Sequence, residues 1–276
     1  MKSLHVFDLP FTKALRTSQI QEGLGGVLAK IALERIVDYE AKPIPLSWQG
    51  LDGHGAPFFE ALAKPGLSVI AEVKRSSPSK GAIADLDPVA TAKAYAQGGA
   101  GAISVLTETR HFGGELEHLI AVAKEVSLPL LRKDFTVHPF QLLEAKQAGA
   151  SAVLLIVAIL GELTADYLKL AKALELDALV EIHDEAELSI ALAAGAEIIG
   201  VNNRDLRSLA IDLNNAPKLI RKARGLGFQG LLVAESGYSQ RQELEGLRDL
   251  ADAVLIGSSL AASHDIQKAL ENLVLR

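Results

Sequence analysis

Glu72 and Lys74 place a carboxylate and an ammonium two residues apart in Leu67-Ser68-Val69-Ile70-Ala71-Glu72-Val73-Lys74, an apolar run that breaks into Arg75-Ser76-Ser77-Pro78-Ser79-Lys80-Gly81. Side chains of a strand alternate faces, so both charges point the same way. Burying both is costly unless each finds a partner or a ligand. Taken alone, the pair reads equally well as an ion pair closing a strand. The same grammar recurs along the chain. Lys133 ends Leu128-Pro129-Leu130-Leu131-Arg132-Lys133, Glu181 interrupts Ala178-Leu179-Val180-Glu181-Ile182, and Asn202 and Arg204 share one face after Ile198-Ile199-Gly200-Val201. Two further runs end in Glu235-Ser236-Gly237 and Gly257-Ser258. Each group has a plain alternative: Glu181 pairing with a lysine, Asn202 forming a turn, Arg132 and Asp134 bridged on the far side of their strand. Charged and amide groups at the same end of six runs instead define one cavity for proton transfer by lysine, glutamate and asparagine. A lysine buried there is expected to have its pKa lowered toward neutrality, and a neighbouring glutamate to shift upward or pair with it. Gly237, Gly257 and the serines beside them let backbone N–H groups approach an anion, which suits a phosphate. Ser77, beside Lys74, is placed to reach the same anion.

The elements that must position these groups follow from hydrophobic pattern. Eight short apolar runs, at 67–73, 101–106, 128–133, 151–157, 178–182, 197–202, 230–235 and 253–257, alternate with stretches of helical periodicity. Those stretches lie near 88–98, 115–126, 138–148, 163–175, 184–194, 214–225, 239–250 and 264–274. Glycines at 99, 149 and 195 stand where a helix ends in a left-handed cap before the next run. Eight strand–helix units of about 26 residues each match a (β/α)8 (TIM) barrel, whose strand ends converge on one face. Runs with little polar alternation suit a parallel sheet covered on both sides. A doubly wound sheet is the alternative arrangement, and the count of eight favours the barrel. Ahead of it, residues 18–41 carry helical spacing weakened at Gly25-Gly26, and 57–62 read as a short helix stopped by Pro65-Gly66. The expected organisation is α/β: an N-terminal helical extension over 1–66 and a single barrel over 67–276.

Composition narrows the function. The chain has 276 residues, 49% hydrophobic and 22% charged, enough apolar material for one large core. A formal charge of -6 argues against nucleic acid or an anionic membrane surface as partner. The absence of cysteine excludes disulfides, thiolate metal sites and cysteine nucleophiles, and suits the cytoplasm. No signal-peptide pattern or membrane-length apolar run is present. There is no Walker loop, no GxGxxG after a strand and no HExxH, and the histidines lack metal-ligand spacing. No metal or cofactor is expected. The expected ligand is a phosphorylated small molecule, bound by a monomer or weak homo-oligomer.

Ala71 through Gly81 resembles the signature of the indole-3-glycerol phosphate synthases. Lys133-Asp134-Phe135, Val180-Glu181-Ile182-His183, Val201-Asn202-Asn203-Arg204-Asp205-Leu206, Ala234-Glu235-Ser236-Gly237 and Leu255-Ile256-Gly257-Ser258 are similar to that family's later motifs, in the same order. The resemblance covers roughly residues 27 to 276. It implies closure of 1-(2-carboxyphenylamino)-1-deoxyribulose 5-phosphate to indole-3-glycerol phosphate, with loss of carbon dioxide and water, in tryptophan biosynthesis. It further implies Lys133 as general acid and Glu181 as its acid/base partner. Lys74, held by Glu72, binds substrate anions, while Asn202, Glu235 and Ser236 position hydroxyls and the reacting carbonyl. Ser77, Gly237, Gly257 and Ser258 hold the phosphate, Phe112 and Phe135 sandwich the aryl ring, and Arg204 contacts the carboxylate or supports those contacts. Other readings are a different phosphosugar barrel enzyme, an isomerase or a Schiff-base aldolase using Lys133, and a non-catalytic barrel that binds a phosphorylated metabolite.

Overall fold

The computed structural model describes residues 4–5, 13–42, 47–48, 57–77, 81–82, 86–206 and 208–275. Eight parallel strands form a closed barrel: β1 (Ser68–Val73), β2 (Ala102–Leu106), β3 (Leu130–Lys133), β4 (Ala152–Ile156), β5 (Asp177–Ile182), β6 (Ile198–Asn202), β7 (Leu231–Glu235) and β8 (Ala253–Ile256). Neighbours in sequence are neighbours in the barrel, and β8 pairs with β1 through Val254 opposite Val69 and Ile256 opposite Ala71. The eight runs expected from hydrophobic pattern are these strands.

Helices cover the outside. Among the described residues three precede the barrel, α1 (Thr17–Gly23), α2 (Gly26–Glu40) and α3 (Phe58–Leu62). The barrel helices are α4 (Pro88–Gln97), α5 (Leu116–Glu125), α6 (Phe140–Gln147), α7 (Val157–Leu160), α8 (Thr164–Ala173), α9 (Glu185–Ala194), α10 (Asn215–Gly225), α11 (Arg241–Glu245), α12 (Ser258–Ala261) and α13 (Ile266–Leu273). Local chemistry sets their ends. Asp87 caps α4 by accepting the Ala90 N–H at 2.6 Å, with Pro88 in the first turn, and Asp184 caps α9 through the Glu187 N–H at 2.9 Å. Gly99, Gly149 and Gly195 have φ of 95°, 87° and 80°, the left-handed turn back to a strand that their spacing implied.

Two helices are shorter than the periodicity suggested. The 18–41 pattern divides at Leu24-Gly25 into α1 and α2, where the glycine pair offers neither side-chain contacts nor helix propensity. The 239–250 stretch keeps only one turn and a half before Gly246. The Gly50–Gly55 loop and His54 lie outside the described residues. Among the described residues, no helix is long and apolar enough to cross a membrane.

Candidate active site

The register of the barrel decides which side chains meet. Glu72 on β1 is level with Leu131 on β3 through Ser104, and Lys133 lies two residues further on. The same step of two residues per two strands leads from Lys133 to Glu181 on β5, then to Glu235 on β7, then back to Glu72. That stagger is the shear of an eight-stranded barrel, in which alternate strands fill each interior layer with four side chains. One layer is therefore Glu72, Lys133, Glu181 and Glu235. Beneath it lie Ser104, Leu154, Gly200 and Leu255, and above it Leu106, Ile156, Asn202 and Gly257. Three buried carboxylates around one ammonium form an arrangement that a structural core has no reason to build.

Lys133 Nζ is 3.1 Å from Glu181 Oε2 and 3.6 Å from Glu235 Oε2. Lys74 Nζ is 2.6 Å from Glu72 Oε2, so the pair read from the first run is formed. Asn202 Nδ2 donates to Glu181 Oε1 at 3.1 Å, and Asn202 Oδ1 accepts the Arg204 N–H at 2.9 Å. The Arg204 guanidinium donates to the Leu209 carbonyl at 3.0 Å, which holds it over the opening. Two glycines make room for the acids. A Cβ at Gly200 would overlap Glu235 Oε1, and one at Gly257 would overlap Glu72 Oε2.

The electrostatics depart from expectation in one respect. Burial alone would lower the pKa of Lys133, but Glu181, Glu235 and Glu72 outweigh it and hold the ammonium above the ordinary lysine value. The expected shift toward neutrality is thus overturned, because closure brings three carboxylates rather than one. The opposite shift falls on Glu235. Burial pushes it up to about 8, with neighbouring Glu181 and Glu72 adding to the rise and Lys133 opposing it. Glu72 lies below the ordinary carboxylate range, since Lys74 and Lys133 outweigh its burial. Burial thus biases Glu235 toward its protonated form beside a charged lysine.

These groups line a cavity of about 290 Å³ at the C-terminal mouth of the barrel. Every candidate residue named from the sequence lines it except Ser77, whose side chain lies outside the described residues. Ser236 and Gly237 have φ of 67° and 95°, two successive left-handed residues. Positive φ at both positions turns the chain sharply at the end of β7, beside the cavity. Gly257 lies in the same lining, and α12 begins at Ser258. Phe112 and Phe135 pack against each other with centroids 5.8 Å apart and planes tilted by 36°. In this conformation they form one wall rather than two sides of a sandwich. A larger cleft, 580 Å³, opens at the other end of the barrel by Ser151, Asp177 and Ile198; its buried Lys146 is taken up by Glu175.

Several residues at the site carry no sequence signal by type. Leu206 and Tyr238 line the cavity beside the charged groups. Glu108 folds the loop after β2 by accepting the N–H groups of Arg110, His111 and Phe112 at 2.9, 2.8 and 3.0 Å. The bridge foreseen between Arg132 and Asp134 exists at 3.0 Å, and Arg35 of α2 joins it.

The solved structures that resemble this chain establish the barrel alone. They include a thiamine phosphate pyrophosphorylase from Pyrococcus furiosus (TM-score 0.54, 16% identity, covering 75% of this chain and 93% of that one). A 3-hexulose-6-phosphate synthase gives a TM-score of 0.58 at 15% identity, over 75% of this chain and 98% of the other. Sequence relatives are far nearer. An indole-3-glycerol phosphate synthase of Deinococcus radiodurans is 52% identical over 257 residues, 91% of this chain and 96% of the relative. One from Rhodococcus jostii is 49% identical over 217 residues, 78% of this chain and 80% of the relative. The family described as indole-3-glycerol phosphate synthase matches residues 45–273. With the charged layer at the barrel mouth, these likenesses place the chain: it belongs to the indole-3-glycerol phosphate synthase family.

Proposed function

We propose that the charged layer of the barrel carries the steps of the family's reaction, divided among its residues as follows. The chain is an indole-3-glycerol phosphate synthase, a carboxy-lyase of tryptophan biosynthesis. Its substrate, 1-(2-carboxyphenylamino)-1-deoxyribulose 5-phosphate, closes a ring and releases carbon dioxide and water. Lys133 donates a proton to the ribulose carbonyl oxygen as the aryl carbon attacks. Carbon dioxide then departs, and its bonding electrons restore the aromatic ring. Loss of the new hydroxyl as water needs a second proton on oxygen, and Glu181 accepts the proton released from the adjoining carbon. Glu235, biased toward its protonated form and 3.6 Å from Lys133, returns a proton to the lysine between steps. Asn202 orients Glu181 through their 3.1 Å hydrogen bond.

Lys74, paired with Glu72, and Arg204 bind the substrate's anionic groups at the rim. Ser236 positions hydroxyls, and the turn at Ser236-Gly237, Gly257, Ser258 and Ser77 take the phosphate. Phe112 and Phe135 line the aryl end. The division into an extension over 1–66 and a catalytic barrel over 67–276 accompanies this reading, supported by the β8–β1 seam. A Schiff-base role for Lys133 requires a neutral amine, which the surrounding carboxylates oppose.

The observation that carries the assignment is the layer itself, one ammonium among three acids at the barrel mouth. The test is turnover of the carboxyphenylamino substrate, followed by the rise of indole fluorescence. Lys133→Ala and Glu181→Gln should each lower kcat by about 10³-fold while KM changes far less. Near-normal kcat in Lys133→Ala would remove it from its role.

A further inference from the structure

Helix α2 grips both loops that carry the aromatic wall. Glu34 and Asp38, one turn apart on α2, face the loop after β2. His111 Nε2 lies 2.6 Å from Glu34 Oε2, and Arg110 pairs with Asp38. Arg35 and Tyr39, the adjacent line of the same helix, face the end of β3. Arg35 Nε and Nη2 donate to the two oxygens of Asp134 at 3.1 and 2.6 Å, and Tyr39 accepts from Arg132 at 3.0 Å. Asp134 is 2% exposed and also accepts the Phe135 N–H at 2.8 Å. Each grip therefore falls one residue from a phenylalanine of the site: His111 precedes Phe112, and Asp134 precedes Phe135.

The first turns of α2 reach the same place. Val27, Leu28 and Ile31 wall a mainly apolar space of about 50 Å³ together with Phe112 and Phe135, which Lys74, Arg204 and Ser258 also line. That is room for about one or two methyl-sized groups. The main cavity mixes charged groups with aliphatic ones such as Leu106, Ile156 and Leu255, and this space extends it along the two phenylalanines.

We infer that α2 sets the enzyme's selectivity for the aryl ring, with Glu34 and Arg35 as positioning residues that fix Phe112 and Phe135 through His111 and Asp134. The inference rests on the aryl end of the substrate lying against the two phenylalanines, as assigned above. A buried, forked Arg–carboxylate pair fixes direction as well as distance, and Lys in place of Arg35 keeps charge while losing the fork. Glu34, at the half-buried rim, is separable from the buried network.

The experiment compares the natural substrate with an analogue carrying a methyl group on its aryl ring, in wild type, Glu34→Gln and Arg35→Lys. KM for the natural substrate should rise about tenfold in each variant with kcat within about threefold. The ratio of kcat/KM between the two substrates should change by about tenfold, the scale on which a pocket reads one methyl group. Inhibition by ribulose 5-phosphate, which lacks the ring, should stay at the wild-type value. A lower Tm with unchanged KM and unchanged substrate ratio would overturn the inference and leave α2 a structural strap. If Arg35→Lys fails to fold, Glu34→Gln decides the question. Wild-type protein that converts neither substrate would instead refute the assignment of function.

Discussion

Gly200→Ala tests the reasoning at one methyl group. Gly200 belongs to the layer beneath the catalytic one, and its missing side chain leaves the space that Glu235 Oε1 occupies. An added Cβ would overlap that oxygen and come within 3.1 Å of Leu179 Cδ1. Glu235 Oε1 has no hydrogen-bond partner among the described residues, so it is the softer of the two obstacles. The carboxyl group must retreat by about 1 Å, a displacement that in an active site costs on the order of 100-fold in rate. Glu235 Oε2, 3.6 Å from Lys133, is displaced with it. The loss corresponds to about 2.7 kcal/mol of transition-state stabilisation. Overpacking should cost about 1–3 kcal/mol of stability, a fall in Tm of about 2–10 °C. The assay is kcat/KM by indole fluorescence beside a thermal melt. Gly225→Ala, with nothing within 4 Å of its added Cβ, serves as the control and should keep full activity. A Gly200→Ala enzyme within about threefold of wild type would show that the position of Glu235 does not matter to the chemistry.

Glu235→Gln should alter the pH dependence of stability in a defined direction. With its pKa raised from 4.5 to about 8, the folded state holds a proton that the unfolded chain releases, so wild-type stability falls as pH rises through that window. The variant should lack this fall, on the order of a few kcal/mol, in urea melts between about pH 5 and 8; parallel curves would refute the protonated acid. Asp134→Asn should do the reverse. Burial alone would raise the Asp134 pKa, but Arg35 and Arg132 hold it below the ordinary range, so it stabilises the fold above about pH 4 and loses that contribution as the pH falls. Wild type should therefore lose its advantage over the variant in acid melts. Gly237→Ala places a Cβ 2.7 Å from Ile211 and Leu213 at φ 95°, and should raise KM by about 10-fold or more by distorting the turn proposed to take the phosphate; unchanged KM would place the phosphate elsewhere.

The barrel was legible because its signals are local. Val, Ile and Leu runs and Gly99, Gly149 and Gly195 at helix ends each act within a few residues. The candidate groups were legible for a related reason: barrel topology brings every strand end to one mouth, so Lys133, Glu181 and Glu235 needed only to sit at the right end of their runs. What escaped depends on closure. Whether Lys133 meets one carboxylate or three is a matter of stagger around the ring, and its pKa direction followed from that number. Gly200 looked like one more small strand residue until Glu235 was seen to fill its place. Arg35 and Glu34 read as ordinary polar positions of an amphipathic helix, because their partners Asp134 and His111 lie 99 and 77 residues further along the chain.

The charged layer draws one residue from each odd-numbered strand, and the proposed assignment gives this a bearing on when activity first exists. The half of the chain from β1 to β4 holds Glu72 and Lys133, and the half from β5 to β8 holds Glu181 and Glu235. Neither half contains a lysine with its full set of acids. On the proposed assignment, turnover requires the sealed ring, and its appearance during refolding should time the moment at which the two halves meet.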